Sequence, residues 1–187
     1  MSGILILGWG SLIWRPGELR TAGDWILDGP ILPIEFSRIS EKGRLTLVID
    51  EQNGVPVHTR SIKSACHTLD DAIDNLRIRE GSPNAKGIGF ANMGDGSTSP
   101  TALERHKSAA ATITKWGQSK GADGVIWTAI GPRWPLKDRF SVEAAAQYVA
   151  CLEEPLRSEA HEYMRKAPAE VVTPVRKRFE ELMKSGQ

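Results

Sequence analysis

The chain has 187 residues, with 24 Lys and Arg against 23 Asp and Glu, which gives a formal net charge of +1. This near-balance argues against binding to nucleic acid or another polyanion, because such proteins usually carry a clear basic excess. With 40% hydrophobic and 25% charged residues, the composition is that of a globular protein long enough to bury a core. It excludes disorder, collagen and coiled coil.

The cysteines, the histidines and the N-terminal residues indicate whether to expect disulfides, a metal site or a membrane segment. Cys66 and Cys151 form no CxxC pair and the four histidines show no metal-ligand spacing, so the sequence predicts no disulfide framework and no metal site. The apolar run at residues 4–7 follows no positive charge and is too short for a signal peptide or a membrane helix. We therefore expect a cytoplasmic protein that binds no membrane.

Strands dominate the first third of the chain. Residues 4–7 form a continuous apolar run, typical of a strand buried on both faces. Residues 32–39 and 44–50 predict a hairpin, because both contain β-branched residues and a short Glu-Lys-Gly segment separates them. A further strand is expected over residues 55–62, after an Asn-Gly turn.

The middle of the chain mixes helices with strands. The hydroxyl of Thr68 can cap a helix that runs to about Glu80 and stops at the glycine that follows. Strands are expected at residues 86–92 and 124–130. Between them the Ala-rich composition predicts one long helix over residues 101–120.

The C-terminal part of the chain predicts only helices. Ser141 can cap a helix over residues 142–154, and a second helix is expected over residues 156–167. Thr173 can cap a third helix, and Pro174 is suited to the first position of that helix.

The order of these elements indicates an α+β fold. Strands come first and helices last without regular βαβ alternation, which favours a small closed mixed β-barrel with flanking helices. No repeat or low-complexity linker interrupts the chain. We expect residues 1–187 to form a single domain, with residues 141–187 as a helical extension packed on it.

A glycine-containing loop directly follows the first strand and consists of Gly8, Trp9, Gly10, Ser11 and Leu12. Its glycines let the backbone bend sharply and point amides outward, where they can hold a carboxylate or a developing oxyanion. The alternative is a tight turn that needs glycine for geometry alone. A dinucleotide fingerprint fails because its third glycine position holds Ile13. A hydrolase elbow has glycine two residues before and two residues after its serine, where Ser11 has Trp9 and Ile13, so we expect a donor or turn-stabilising hydroxyl rather than a nucleophile.

Glu80 is the candidate catalytic residue. It lies four positions after Leu76 and eleven after Leu69, so it points to the same side of its helix as the apolar stripe. Burial and the negative end of the helix dipole both disfavour the charged carboxyl group, which would suit Glu80 to proton transfer near neutral pH. Spacing alone favours the alternative, a structural ion pair. The candidate partners for that pair are Arg38, Arg60 and Arg79.

These two features together resemble the γ-glutamylcyclotransferase-like superfamily, and its ChaC-type branch in particular. Residues 6–17 are similar to the family's Tyr-Gly-Ser-Leu signature. The segment from Leu76 to Glu80 is similar to the Arg-Glu pair that ends a helix and carries the family's catalytic glutamate. The resemblance covers about the first 130 residues, and the C-terminal helices lie outside it.

The resemblance implies a closed β-barrel enzyme that cyclises a small γ-glutamyl amine or peptide to 5-oxoproline and releases the amine, without cofactor or metal. Glu80 would be the general base and then the general acid, while the loop from Gly8 to Leu12 would bind the substrate. Trp9 stands where the motif has tyrosine and removes a phenol hydroxyl, so the family's usual substrates do not transfer directly.

A rival hypothesis is a barrel of the same fold that binds a small ligand or a partner protein without catalysis and uses its C-terminal helices as an interaction surface. The sequence makes no prediction of the oligomeric state.

Overall fold

A computed structural model describes residues 3–137 and 139–185, so both ends of the expected 1–187 domain lie outside the described residues. The strands are β1 (Ile4–Gly8), β2 (Thr21–Ile26), β3 (Ile31–Ile39), β4 (Leu45–Ile49), β5 (Val55–His58), β6 (Arg60–Ser64), β7 (Ile88–Asn92) and β8 (Gly124–Thr128). The helices are α1 (Leu69–Arg79), α2 (Pro100–Arg105), α3 (Lys107–Ser119), α4 (Val142–Ala150), α5 (Leu156–Lys166) and α6 (Pro174–Ser185). The fold is α+β, as predicted. None of these helices is both long and apolar enough to cross a membrane.

The strands form two separate sheets. The five-stranded sheet has the order β2-β6-β1-β8-β7, and its central strand β1 pairs antiparallel with β6 and parallel with β8. The three-stranded antiparallel sheet has the order β4-β3-β5 and contains the predicted β3–β4 hairpin.

Neither sheet closes on itself within the described ranges, so the expected closed barrel is not formed. The strand expected over residues 55–62 is instead divided at Thr59 between the two sheets, as β5 and β6. Thr59 bonds to the segment before β3, because its carbonyl accepts from the amide of Gly29 at 3.0 Å and its hydroxyl donates to the carbonyl of Pro30 at 2.7 Å. Because the chain passes from one sheet to the other at Thr59, the strands form two open sheets instead of one closed barrel.

Strand β1 separates two apolar clusters, because its successive side chains point to opposite faces of the sheet. Ile4 and Ile6 pack in a cluster with Leu76 of α1. Leu7 belongs to a larger cluster on the other face, together with Trp127 of β8. Helix α1 is therefore fixed against one face of the sheet, and its C-terminus lies beside the loop that follows β1.

Helix α1 begins and ends where the sequence predicts. The hydroxyl of Thr68 accepts a hydrogen bond from the amide of Asp71 at 3.1 Å. Glu80 is the C-terminal cap, and its amide donates to the carbonyl of Leu76. Gly81 follows with φ of +63°, in the left-handed region that glycine adopts without strain.

Two of the predicted helices differ in length. The helix expected over residues 101–120 is broken into α2 and α3 at His106, which leaves the helical region with φ of −155°. His106 is buried there, and its Nε2 accepts from the indole nitrogen of Trp127 at 3.2 Å. The helix expected over residues 142–154 ends at Ala150, since Pro155 has no amide to donate and its ring crowds the preceding turn.

The C-terminal helices pack on the three-stranded sheet. Val175 and Phe179 of α6 share the larger apolar cluster with Ile34 of β3. The buried carboxylate of Glu35 accepts hydrogen bonds from the amides of Phe36 at 2.7 Å and of Val175 at 3.4 Å. Burial raises the pKa of Glu35 above its usual value. Strand β3 thus fixes the start of α6 through a carboxylate at the positive end of the helix dipole.

We expect the free energy of unfolding to fall as the pH decreases from about 6.5 to about 4. Burial lowers the pKa of His106 from 6.5 to about 4, so in this window the unfolded chain binds a proton that the folded protein does not. This residue should contribute a loss of about 1 kcal/mol for each pH unit across the window. Urea unfolding at several pH values measures the slope.

The comparison variant is His106→Gln, which retains an acceptor for Trp127 but does not titrate. In this variant, the free energy of unfolding should lose the pH dependence that His106 contributes. The matched control is His67→Gln, which removes an exposed histidine. Parallel pH profiles for wild type and His106→Gln would contradict the prediction.

Candidate functional site

The loop after β1 and the end of α1 meet at one cleft. Ser11, Arg79 and Glu80 line a cavity of about 250 Å³. The adjoining larger cleft has a volume of about 980 Å³ and is lined by Glu80 and by the whole loop, namely Gly8, Trp9, Gly10, Ser11 and Leu12. The structure therefore places the six residues singled out from the sequence around one cleft.

Arg79 joins the loop to the end of α1. Its Nη2 donates to the hydroxyl of Ser11 at 3.2 Å and to the carbonyl of Arg15 at 2.7 Å. Its Nη1 donates to Oε1 of Glu80 at 2.6 Å. Because the guanidinium is planar and its donors point in fixed directions, this one side chain positions the loop and the carboxylate together.

Glu80 faces the cleft with one carboxylate oxygen held and the other free. Oε1 accepts from Arg79 and, at 3.3 Å, from the hydroxyl of Thr128 at the end of β8. Oε2 accepts no hydrogen bond from any residue that the structure describes. The side chain is 21% exposed, so this oxygen is reachable from the cleft.

The structural ion pair considered for Glu80 is formed, and its partner is Arg79. The other two candidate arginines bond elsewhere, since Arg60 pairs with Glu170 and Arg38 donates to the carbonyl of Gly131. The ion pair fixes the orientation of the Glu80 side chain at the edge of the cleft.

The loop after β1 is a tight turn with free amides. The amide of Ile13 donates to the carbonyl of Gly10 at 3.0 Å, and the amide of Arg15 donates to the carbonyl of Ser11 at 2.8 Å. The amides of Gly10, Ser11 and Leu12 donate no hydrogen bond within the described part of the chain. Unpaired amides at a strand end can bind a carboxylate or a developing oxyanion.

Tyr163 of α5 also lines the cleft, and the sequence analysis did not single it out. Its phenol oxygen lies 2.9 Å from the point where a Cβ on Gly10 would stand, so the glycine makes room for it. Trp9 itself is 5% exposed and packs in the larger apolar cluster. A phenol hydroxyl therefore reaches the loop from α5 rather than from position 9.

The packing around Tyr163 explains its fixed position. Its ring makes edge contacts with Trp14 at 5.3 Å and with Phe36 at 6.1 Å between centroids. Burial raises the pKa of the Tyr163 phenol, so the hydroxyl keeps its proton at neutral pH. The available sequence signal was the spacing of Glu159, Glu162 and Tyr163, which places all three on one helix face.

Comparison of the chain with known protein families, curated proteins and solved structures finds no match. Within residues 3–137 and 139–185, no group of three or more His, Cys, Asp or Glu side chains is arranged to hold a metal ion.

We expect Gly10→Ala to lower the free energy of unfolding by about 1–3 kcal/mol, because the added methyl group would overlap the buried phenol oxygen of Tyr163. Urea unfolding measures the loss. Adding Tyr163→Phe removes that oxygen, so in the Gly10→Ala background it should recover part of the loss.

The matched control for this prediction is Gly87→Ala. Gly87 also lines the cleft, but a Cβ there would meet its nearest neighbour at 3.5 Å, an ordinary contact. Equal stability of the two alanine variants would show that Tyr163 and Gly10 are not in close contact.

Proposed function

We propose that the protein is a γ-glutamylcyclotransferase-like enzyme that converts a small γ-glutamyl amine or peptide to 5-oxoproline and a free amine. One observation carries this proposal: Glu80, with a free carboxylate oxygen, lines the same cleft as the three unpaired amides of Gly10, Ser11 and Leu12. The reaction requires a base for the α-amino group and donors for the γ-carbonyl oxygen. We expect such an enzyme to act in the cytoplasm.

The proposed reaction needs no co-reactant. The neutral α-amino nitrogen attacks the γ-carbonyl carbon and forms the new C–N bond, and Oε2 of Glu80 takes the proton that this nitrogen loses. The loop amides stabilise the oxyanion of the tetrahedral intermediate. When the intermediate collapses, the original γ-amide bond breaks and Glu80 returns the proton to the departing nitrogen. The carboxylate is thereby restored.

Arg79 is a positioning residue in this mechanism. The ring closure is intramolecular, so its rate depends mainly on how well the reacting groups are oriented. Arg79 fixes the carboxylate of Glu80 and the hydroxyl of Ser11 relative to each other. The same contact keeps Oε1 occupied and leaves Oε2 for the substrate.

We expect Glu80→Gln to reduce 5-oxoproline release by at least about 100-fold, because the amide cannot take the α-amino proton. Gln is nearly isosteric with Glu, so circular dichroism and urea unfolding should show a folded protein. The assay measures 5-oxoproline from γ-glutamyl dipeptides, γ-glutamylamines and glutathione.

The matched control is Asp74→Asn, which neutralises an exposed carboxylate on the same helix outside the cleft. It should keep wild-type turnover. Wild-type rates in Glu80→Gln would rule out the mechanism.

The Arg79–Glu80 ion pair favours a second candidate, a cleft that binds a small ligand without chemistry. A structural carboxylate would make Glu80 part of the fold rather than of a reaction. This candidate predicts that wild type releases no 5-oxoproline from any member of the panel. Its ligand would remain chemically unchanged after long incubation.

A further inference from the structure

Among the described residues, one arginine of the smaller cavity forms no ion pair. Arg44, immediately before β4, lines both the smaller cavity and the larger cleft. Its Nε is buried without a hydrogen-bond partner, and its guanidinium forms no ion pair with any residue in the described ranges. The cavity's other arginines are engaged, because Arg15 pairs with Glu162 and Arg79 with Glu80.

Arg44 is nevertheless held in a defined position. Its guanidinium carbon lies 4.6 Å from the centroid of the Tyr163 ring, in a cation–π contact. Its amide donates to the hydroxyl of Ser40 at 3.1 Å, and its carbonyl accepts from the Ser40 amide at 2.9 Å. The backbone is thus fixed by the hairpin and the side chain by the aromatic ring, while the terminal nitrogens have no hydrogen-bond partner among the residues that the structure describes.

An unpaired guanidinium at a cavity wall is suited to an anionic ligand. Its parallel N–H donors match the two oxygens of a carboxylate, and such charge-assisted pairs are stronger than neutral hydrogen bonds. The stacking on Tyr163 lowers the entropy that the side chain loses on binding, because its rotamer is already selected. Pairing with a ligand would also compensate the partial burial of the charge.

We propose that Arg44 binds a carboxylate of the ligand, so that the cleft selects compounds that carry an anionic group. The identity of that carboxylate rests on the proposed function. Arg44 and Glu80 line the same cavity of about 250 Å³, and the α-amino and α-carboxylate groups of a γ-glutamyl compound share one carbon atom. With the amine at Glu80, we expect the α-carboxylate to lie in the cavity that Arg44 lines.

The test follows the side-chain Nε–H resonance of Arg44 by ¹⁵N NMR, assigned by its loss in Arg44→Lys. The probes are 5-oxoproline, which keeps the α-carboxylate and has no leaving group, and 5-oxoprolinamide, in which that carboxylate is an amide. We expect 5-oxoproline to shift the resonance and 5-oxoprolinamide to leave it in place. Arg44→Gln should weaken 5-oxoproline binding at least about 10-fold. The exposed Arg157→Gln, on α5 and outside the cleft, is the binding control.

A second pair of probes distinguishes the two sources of carboxylate. γ-Glutamylglycine and γ-glutamylethylamide are titrated into the Glu80→Gln variant, which does not consume them. A shift with γ-glutamylglycine alone, and none with 5-oxoproline, would assign Arg44 to the carboxylate of the leaving group. No shift with any carboxylate probe, or unchanged binding in Arg44→Gln, would overturn the proposal.

Failure of this inference and failure of the proposed function give different results. If 5-oxoproline shifts the Arg44 resonance while wild type turns over no substrate, Arg44 binds a carboxylate and the cyclotransferase activity is wrong. If Glu80→Gln abolishes turnover while Arg44→Gln keeps the wild-type KM, the activity stands and the role of Arg44 is wrong.

Discussion

The arrangement of the cleft depends on the hydrogen bonds that the guanidinium of Arg79 donates. This guanidinium joins two segments that are far apart in sequence, the loop after β1 through Ser11 and Arg15, and the end of α1 through Glu80. The Arg79 side chain is 11% exposed, and its hydrogen bonds to Ser11 and Glu80 are partly buried, which strengthens these charge-assisted bonds. The apolar packing of α1 on β1, through Leu76 and Ile6, brings the two segments close enough for this contact.

The sequence predicts the ends of α1 and the β3–β4 hairpin because interactions between neighbouring residues determine them. The cap at Thr68 and the glycine at Gly81 fix both ends of α1, and the β3–β4 hairpin follows from two short apolar segments around a turn. Glycines after a buried strand predict a sharp bend whose amides point outward. Arg79 holds this loop through a hydrogen bond to Ser11, which lies 68 residues earlier in the chain. No local sequence pattern indicates a contact over that separation.

The features that the sequence did not predict depend on tertiary contacts. Strand β2 is mostly exposed at the sheet edge, where it pairs with β6, and its sequence lacks the alternation that indicates a strand. The break at His106 depends on a hydrogen bond from Trp127, and the division of the expected strand depends on the backbone contacts of Thr59. Tyr163 reaches the cleft only because α5 is folded back over the loop. Each of these outcomes is fixed by a residue distant in the chain.

Helix α5 lines the cleft but takes no part in the hydrogen bonds of Glu80. The hydrogen-bond partners of Glu80 come from Arg79 and Thr128, and none of them lies on α5. Tyr163 and the two glutamates beside it form a wall that comes from a distant part of the chain. Substitutions in this one helix can therefore alter the size and charge of the cavity while the hydrogen bonds of Glu80 remain as they are.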